Sequence, residues 1–246
     1  MRTALLPLFT RPRDAETNAL RAFAAARGAA SRQPLDLIVF PESTLTGYLY
    51  EAEDLARFAE PVPGPATDRF ADLARELGAN VAFGLIEAAP AGPAAATVLI
   101  GRSGRILLRQ RKLSEAPPYV RGRELTHVDP GWGTTVALAC GDLFAEGALG
   151  RLPGDLRLVL VPMARAFDGR SPDPERWRRE ERAVYLDAVR AVGAPALVVN
   201  ALEEPEPGGV APSFGGAMVV GSGGELLAES PHGTDLPLVF ELELER

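Results

Sequence analysis

A cysteine, a glutamate and a lysine stand at or after the ends of apolar segments of the chain. These three residue types can together perform nucleophilic catalysis. Cys140 is the one cysteine among 246 residues and is followed by Gly141. Glu42 follows Pro41 at the end of one strand-like run, and Lys112, the one lysine beside 25 arginines, lies shortly after another. Catalytic groups of α/β proteins often lie at the carboxyl ends of strands. A thiol nucleophile also needs a base or a cationic neighbour, so these three side chains are candidates for one site.

Each of these residues, taken alone, also has a structural interpretation. Free cysteines are among the most buried residues, Glu42 alone resembles an exposed loop acid, and a single lysine can arise by chance. A Cys–His dyad with His127 is an alternative, but His127 and His232 both stand beside proline or polar turn residues, which predicts exposed positions. Cysteine and histidine are too few for a usual zinc site, and no phosphate loop or dinucleotide fingerprint occurs. We therefore expect neither a metal nor an organic cofactor.

The composition limits the classes of partner. The formal net charge of −7 and the pI near 5.1 do not favour a nucleic-acid or anionic membrane surface, both of which select basic faces. No apolar run approaches the roughly 18 residues that span a bilayer, and the N-terminal apolar run is too short for a signal peptide. With a single cysteine, no internal disulfide can form. We expect a cytoplasmic protein with no nucleic-acid or membrane partner.

Apolar strand-like runs alternate with amphipathic helix-like runs along the chain, which predicts a layered α/β protein. Hairpins are predicted around Gly101–Gly104 and Gly221–Gly224, and loops at Asp168–Asp173 and Glu203–Gly209. No repeat and no domain boundary is evident, so residues 1–246 are expected to form a single domain. The predicted strands are Thr3–Leu8, Leu35–Phe40, Asn80–Ile86, Ala96–Ile100, Arg105–Arg109, Thr134–Cys140, Leu156–Val161, Pro195–Asn200, Ser213–Val220, Glu225–Ala228 and Leu236–Leu244, and the predicted helices are Asp14–Ala30, Pro65–Leu77 and Pro174–Val192. Asp173 can cap the last of these helices, and its apolar face is predicted to consist of Trp177, Val184, Tyr185, Ala188 and Val192.

The candidate residues lie in an ordered series of segments that resembles the nitrilase, or carbon–nitrogen hydrolase, superfamily. Any one segment is a weak signal, but the ordered set covers nearly the whole chain and is specific. In chain order the segments are Leu-Ile-Val-Phe-Pro41-Glu42-Ser-Thr-Leu-Thr-Gly47-Tyr48, Gln110-Arg-Lys112-Leu, Glu115 with Gly122 seven residues later, Val136-Ala-Leu-Ala-Cys140-Gly-Asp142, Val198-Val-Asn200, and Phe214-Gly-Gly-Ala-Met-Val-Val-Gly-Ser-Gly-Gly-Glu225.

Two segments depart from the superfamily's pattern. The His-Leu that usually follows the lysine is absent, so the loop from Lys112 to Glu115 is short. The segment after Cys140 reads Asp142-Leu-Phe144-Ala-Glu146, which is one residue shorter than usual and lacks a proline. Because these segments border the pocket in the superfamily, they make any transferred substrate assignment uncertain.

The resemblance implies a four-layer α-β-β-α sandwich, assembled as a homodimer or larger homo-oligomer. It also implies that Glu42 is the general base, Lys112 and the Gly141 backbone N–H the oxyanion donors, and Cys140 the nucleophile that forms a thioester. Glu115 would orient the substrate or assist proton transfer. Tyr48, Phe144 and Arg165 are candidate pocket residues.

The resemblance favours a small-molecule amide as substrate. N-carbamoyl amino acids are the second choice, with Arg165 as a candidate partner for their carboxylate, although Arg165 equally suits a surface position. A true nitrilase is less favoured because the chain is short. An ammonia-supplying subunit of a synthetase stays open, and so does a catalytically silent interaction protein, although no defect in the proposed triad is visible. The physiological substrate is not readable from the sequence.

Overall fold

The computed structural model describes residues 1–166, 173–206 and 210–244. Its strands lie in two six-stranded mixed sheets and one short parallel pair. The strands are β1 (Arg2–Leu5), β2 (Phe9–Thr10), β3 (Leu37–Val39), β4 (Asn80–Ala89), β5 (Gly92–Ile100), β6 (Ile106–Arg111), β7 (His127–Val128), β8 (Thr134–Ala137), β9 (Leu156–Met163), β10 (Ala196–Asn200), β11 (Leu202–Glu203), β12 (Ala217–Val220), β13 (Leu226–Ser230) and β14 (Leu238–Glu241).

The first sheet has the order β14-β1-β3-β4-β5-β6, and the second has the order β13-β12-β10-β9-β8-β7. Within the first sheet β3 runs parallel to both β1 and β4, and within the second β9 runs parallel to both β8 and β10. The predicted hairpins are observed as the β5–β6 and β12–β13 pairs. The chain segments that follow β3 and β8 carry two of the three candidate residues.

The helices are α1 (Ala15–Ala30), α2 (Ala52–Phe58), α3 (Pro65–Leu77), α4 (Glu146–Leu149), α5 (Pro174–Arg176) and α6 (Arg182–Val192), with a π-helical turn, Trp177–Glu181, joining α5 to α6. The Asp173 side chain accepts from the Glu175 amide and caps α5, as predicted. Helix α3 has the predicted bounds, and Gly78 ends it with φ +61°, a conformation that glycine adopts without a Cβ penalty. None of the helices in the described ranges is long and apolar enough to cross a membrane.

Alternating side chains give the molecule its four layers. In β3, Ile38 packs with α1 and α3, whereas Leu37 and Val39 pack between the two sheets. In β9, Leu158 and Leu160 lie between the sheets, whereas Val159 and Val161 pack towards the helix that contains Trp177 and Tyr185. Strands buried on both faces are expected to be continuously apolar. The α-β-β-α sandwich implied by the sequence is therefore confirmed.

Three local predictions are wrong or fall outside the described residues. The strand predicted to run to Cys140 ends at Ala137, and the chain then turns. Val184, predicted on the buried face of its helix, is 53% exposed, and Val189 is buried instead because the π-helical turn changes the register of the face. Residues 168–172 of the first predicted loop and residues 207–209 of the second lie outside the described residues.

Candidate functional site

Glu42 is held in place by a loop that is hydrogen-bonded to β4. The Phe40 amide donates to Ala82, the Gly84 amide donates to Pro41, and the Thr44 amide donates back to Gly84. A Cβ atom at Gly84 would lie 2.6 Å from Ser43 N and 2.7 Å from Glu42 Cα. Only glycine permits this close approach of two backbones. The Glu42 side chain is thereby placed beyond the end of β3, where it is 3% exposed.

Lys112 follows β6, the edge strand of the same sheet. Its amide donates to Ala95 O and its carbonyl accepts from the Gly122 amide, each at 2.8 Å. Lys112 Nζ lies 3.0 Å from Glu42 Oε1 and 2.9 Å from Glu115 Oε2, and all three residues are buried. Lys112, which was noted as the one lysine in the sequence, therefore lies between Glu42 and Glu115 as their shared cation.

Tyr48 completes this cluster from the loop after Glu42. Its hydroxyl donates to Glu115 Oε2 at 2.6 Å, and Lys112 Nζ lies 5.2 Å from the centre of its ring. Tyr48 also borders a separate cleft of about 270 Å³ that Tyr50 and Glu203 line. The predicted pocket residue thus contacts Glu115 directly.

The charges of the cluster set the proton affinity of Glu42. The pKa of Glu42 is raised to about 7, because burial and the nearby Glu115 together outweigh the opposing effect of Lys112. Burial alone would lower the pKa of Lys112, but Glu42, Cys140 and Glu115 outweigh that effect and raise it. Lys112 is therefore protonated at neutral pH, whereas Glu42 exchanges a proton near neutrality. These are the properties of a fixed cation and a general base.

Cys140 opens a 3-10 turn, Cys140–Phe144, two residues after β8 ends. Its φ is +47°, a left-handed conformation that non-glycine residues rarely adopt and that clusters at functional sites. The pKa of its thiol is raised to about 11, because burial and Glu42 together outweigh the lowering by Lys112 and by the Ala164 backbone N–H. The resting group at neutral pH is therefore the thiol, which needs a base to become a nucleophile.

An open pocket of about 410 Å³ leads to Cys140. The Phe144 ring packs edge-on against Tyr185 with a centroid distance of 5.1 Å, and Phe144 and Val184 are exposed at the mouth. The predicted pocket residues Phe144 and Arg165 both line this space. The remaining lining residues are Gly141, Arg176, Glu181, Val184 and Tyr185.

Arg165 stands beside the nucleophile in this pocket. Its guanidinium pairs with Glu181 at 3.3 Å, and Glu181 also pairs with Arg176 at 3.3 Å. The π-helical turn ends at Glu181, and such turns are frequent at functional sites. Arg176 pairs with Glu180 as well, at 3.3 Å, so this side of the pocket is lined by paired charges.

Neither histidine lines the pocket that leads to Cys140. His127 is exposed on β7, as predicted. His232 is buried, which contradicts its predicted exposure, because its ring stacks on Trp177 at 3.8 Å and its Nδ1 lies 3.2 Å from Glu229. Burial lowers the pKa of His232. Within the described ranges, no group of three or more His, Cys, Asp or Glu side chains is arranged to hold a metal ion.

A family model described as carbon–nitrogen hydrolase matches residues 2–246. The chain belongs to the carbon–nitrogen hydrolase family. A nitrilase 2 from an unknown prokaryotic organism is 37% identical over 99 residues, a match that covers 34% of this chain and 32% of that protein. A formamidase from Bacillus cereus (strain G9842) is 36% identical over 86 residues, covering 34% of this chain and 26% of the formamidase. Each match therefore spans less than a third of the relative's own length.

The fold is shared with solved structures over nearly the whole chain. The structure of an amidase from Nesterenkonia sp. superimposes with a TM-score of 0.77 and 24% identity, covering 98% of this chain and 90% of that chain. At this identity the comparison establishes the shared fold.

Three residues of the candidate site were not predicted as site residues. Asp142, noted only as part of the Cys140 segment, is fully buried. It accepts hydrogen bonds from the Leu113 and Ser114 amides, which belong to the loop from Lys112 to Glu115, here called the lysine loop. Glu181 and Tyr185 come from a helix that the sequence marked only by its apolar face. The Cys-Gly-Asp order was the one available signal for Asp142, whereas no local pattern directs Glu181 towards the pocket.

Proposed function

We propose that this carbon–nitrogen hydrolase cleaves a small-molecule amide through a thioester on Cys140. The observation that carries the proposal is the buried contact of Lys112 Nζ with Glu42 and Glu115, within electrostatic reach of the single thiol. The formamidase relative supports an amide as substrate, and the nitrilase 2 relative is the reason to include nitriles in the test panel. No step of this chemistry requires a metal or an organic cofactor.

In the proposed acylation step, the Glu42 carboxylate takes the thiol proton as sulfur attacks the amide carbon. The developing oxyanion is stabilised by Lys112 and by the Gly141 backbone N–H, groups that are fixed before the substrate arrives. Glu42 then returns the proton to the leaving nitrogen, the carbon–nitrogen bond breaks, and ammonia or an amine departs. Cys140 is left as a thioester.

Deacylation uses the same groups, with water as the nucleophile and the Cys140 sulfur as the leaving group. Glu42 takes a proton from water, the resulting hydroxide attacks the thioester carbon, and the carbon–sulfur bond breaks. The proton returns to the Cys140 sulfur and the acid leaves. Glu115, held by Tyr48 and Lys112, orients the substrate or assists proton transfer.

A panel of aliphatic amides, N-carbamoyl amino acids and nitriles tests the proposal, with ammonia release as the measurement. We expect release from amides by the wild-type protein and none by Cys140→Ala. Intact-mass analysis with a slowly turned-over amide should show one acyl adduct on the wild type only. An adduct that persists in Cys140→Ala would overturn the assignment of the nucleophile.

N-carbamoyl amino acid hydrolysis is the second candidate. The observation that favours it is the position of Arg165, which lines the same pocket as Cys140. A carboxylate on the substrate would find a cation there. If this candidate is correct, Arg165→Met raises KM for carbamoyl amino acids and leaves KM for neutral amides unchanged.

An ammonia-supplying subunit and a catalytically silent interaction protein are separated from these candidates by the same assays. Glutamine hydrolysis that appears only with a partner enzyme would identify the former, and no turnover of any substrate would favour the latter. We also propose a single-domain, cytoplasmic protein that forms a homodimer or larger homo-oligomer. Sedimentation equilibrium of the 26.1 kDa chain tests the assembly.

A further inference from the structure

Asp142 connects the turn that carries the nucleophile to the loop that carries the lysine. Its carboxylate is fully buried. Oδ1 accepts from the Leu113 amide at 2.9 Å and from the Ser114 amide at 2.7 Å, and Oδ2 lies 3.0 Å from the Leu113 amide. Both amides belong to the residues immediately after Lys112. We call this set of hydrogen bonds the Asp142 bridge.

The Asp142 bridge joins segments from different sheets. Lys112 follows β6 of the first sheet, whereas Cys140 and Asp142 follow β8 of the second. The backbone of Lys112 is hydrogen-bonded to Ala95 and Gly122, both of which lie on the Lys112 side of the site. Those bonds fix Lys112 relative to Glu42, but they do not fix it relative to the thiol.

A second close contact lies beside the bridge. A Cβ atom at Gly141 would lie 2.9 Å from Ser114 Oγ, so the backbone next to the nucleophile packs directly on the lysine loop. This loop is short, with only Leu113 and Ser114 between Lys112 and Glu115. The backbone amides of Leu113 and Ser114 both donate to Asp142. The distance between the lysine loop and Cys140 therefore depends on this one carboxylate.

We propose that Asp142 is a positioning residue that sets the separation between Lys112 Nζ and Cys140 Sγ through the Asp142 bridge. The inference rests on the proposed function, in which Lys112 must face the oxyanion formed at Cys140. Asp142 does not touch the substrate. It acts through the two backbone amides, and a displacement of about 1 Å in such a site costs on the order of a hundredfold in rate.

Asp142 has two opposite effects on the ionisation of the Cys140 thiol, one through its charge and one through the position that it gives to Lys112. A buried carboxylate near the site disfavours negative charge on sulfur, and Asp142 contributes to the raised pKa of Glu42. Removal of the charge alone would therefore make the thiol easier to ionise. Loss of the bridge would move Lys112 away and make the thiol harder to ionise. The two roles predict shifts of opposite sign.

The test compares Asp142→Asn and Asp142→Ala with the wild type by the pH dependence of Cys140 alkylation with iodoacetamide. Because Cys140 is the only thiol, the alkylation rate reports one site. We expect the alkylation midpoint to rise by about half a pH unit or more in Asp142→Ala. Asp142→Asn removes the charge but keeps only one of the two acceptor oxygens, so the two effects partly cancel and a smaller rise is expected.

Amide turnover provides the second measurement. We expect kcat to fall on the order of tenfold in Asp142→Asn and a hundredfold in Asp142→Ala, with KM changed by less than about threefold. Asp129→Asn is the matched control, because the exposed Asp129 carboxylate also accepts two backbone amides, from Gly131 and Gly133, in a loop before β8. This control should leave both measurements unchanged.

A folded Asp142→Asn with an unchanged or lowered alkylation midpoint and normal kcat would overturn the proposal. If Asp142→Ala does not fold, the Asn variant alone decides. If the wild type hydrolyses no substrate but the alkylation midpoint rises in the variants, the Asp142 bridge is upheld and the amide reaction is wrong. The two failures are thereby distinguishable.

Discussion

The pKa of Glu42 makes the acid limb of the pH–rate profile a quantitative test of its role as base. Burial raises this pKa to about 7, and only the carboxylate can accept the thiol proton. At pH 5.5 about 3% of such a group is ionised, compared with about 90% at pH 8. We therefore expect kcat/KM for an amide to be about 30-fold lower at pH 5.5 than at pH 8.

An ordinary glutamate would behave differently. With the reference pKa of 4.5, about 90% of Glu42 would be ionised at pH 5.5 and kcat/KM would change by only about a tenth over the same range. The predicted 30-fold change therefore measures the effect of burial. The thiol adds no falling limb below about pH 10, because the pKa of Cys140 is raised to about 11.

The assay is ammonia release from a small amide under kcat/KM conditions between pH 5 and 9, with circular dichroism at each pH to confirm folding. Glu115→Gln provides an internal check, because Glu115 raises the pKa of Glu42, and its neutralisation should move the acid limb to lower pH. Glu76→Gln, an exposed acid paired with Arg27, should leave the limb in place. A kcat/KM that changes by only about a tenth between pH 5.5 and pH 8 in the folded wild type would refute the assignment of Glu42 as a buried base.

Three further predictions concern the residues around this base. Lys112→Arg should retain less than about a tenth of wild-type kcat, since a planar guanidinium does not replace a compact oxyanion donor; higher retention would make Lys112 structural. On an activated ester, rapid-quench measurement should show that Glu42→Gln loses acylation and deacylation whereas Glu115→Gln still acylates; the reverse result would exchange their roles. Gly84→Ala should lower kcat at least tenfold because its Cβ would meet the Ser43 and Glu42 backbone, while Ala82→Gly should affect mainly the urea midpoint.

Much of the fold was readable because its signals are local. Helix α3 has proline at its first position and glycine after its last, and its bounds were predicted correctly. The same reasoning extended the strand before Cys140 too far, because Leu138, Ala139 and Cys140 continue the apolar run. The positive φ of Cys140 has no sequence signal, since a cysteine gives no indication of a left-handed turn.

The sequence predicted the residues of the candidate site but not the contacts that distant segments make around it. The sequence predicted Glu42, Lys112, Glu115 and Cys140, and the structure brings the two acids and the lysine into contact. The roles of these residues stay predictions. Contacts between distant segments, such as the stacking that buries His232, depend on how the sheets pack and have no local pattern. For the same reason the shift of Val184 to the pocket mouth, which the π-helical turn produces, could not be foreseen.

The proton affinities of the two reacting groups constrain how the proposed nucleophile can act. With pKa values of about 11 for Cys140 and about 7 for Glu42, transfer of the thiol proton to Glu42 is unfavourable in the free protein. Such a transfer moves one negative charge from carboxylate to sulfur and leaves the net charge around Lys112 unchanged. The thiolate therefore does not accumulate, and proton transfer must accompany attack on a bound carbonyl, whose new oxyanion Lys112 can stabilise. Lys112 must therefore be placed for the oxyanion rather than for the resting thiol. For this reason a fixed spacing between the loop after Lys112 and the turn that carries Cys140 matters more to the reaction than an additional positive charge would.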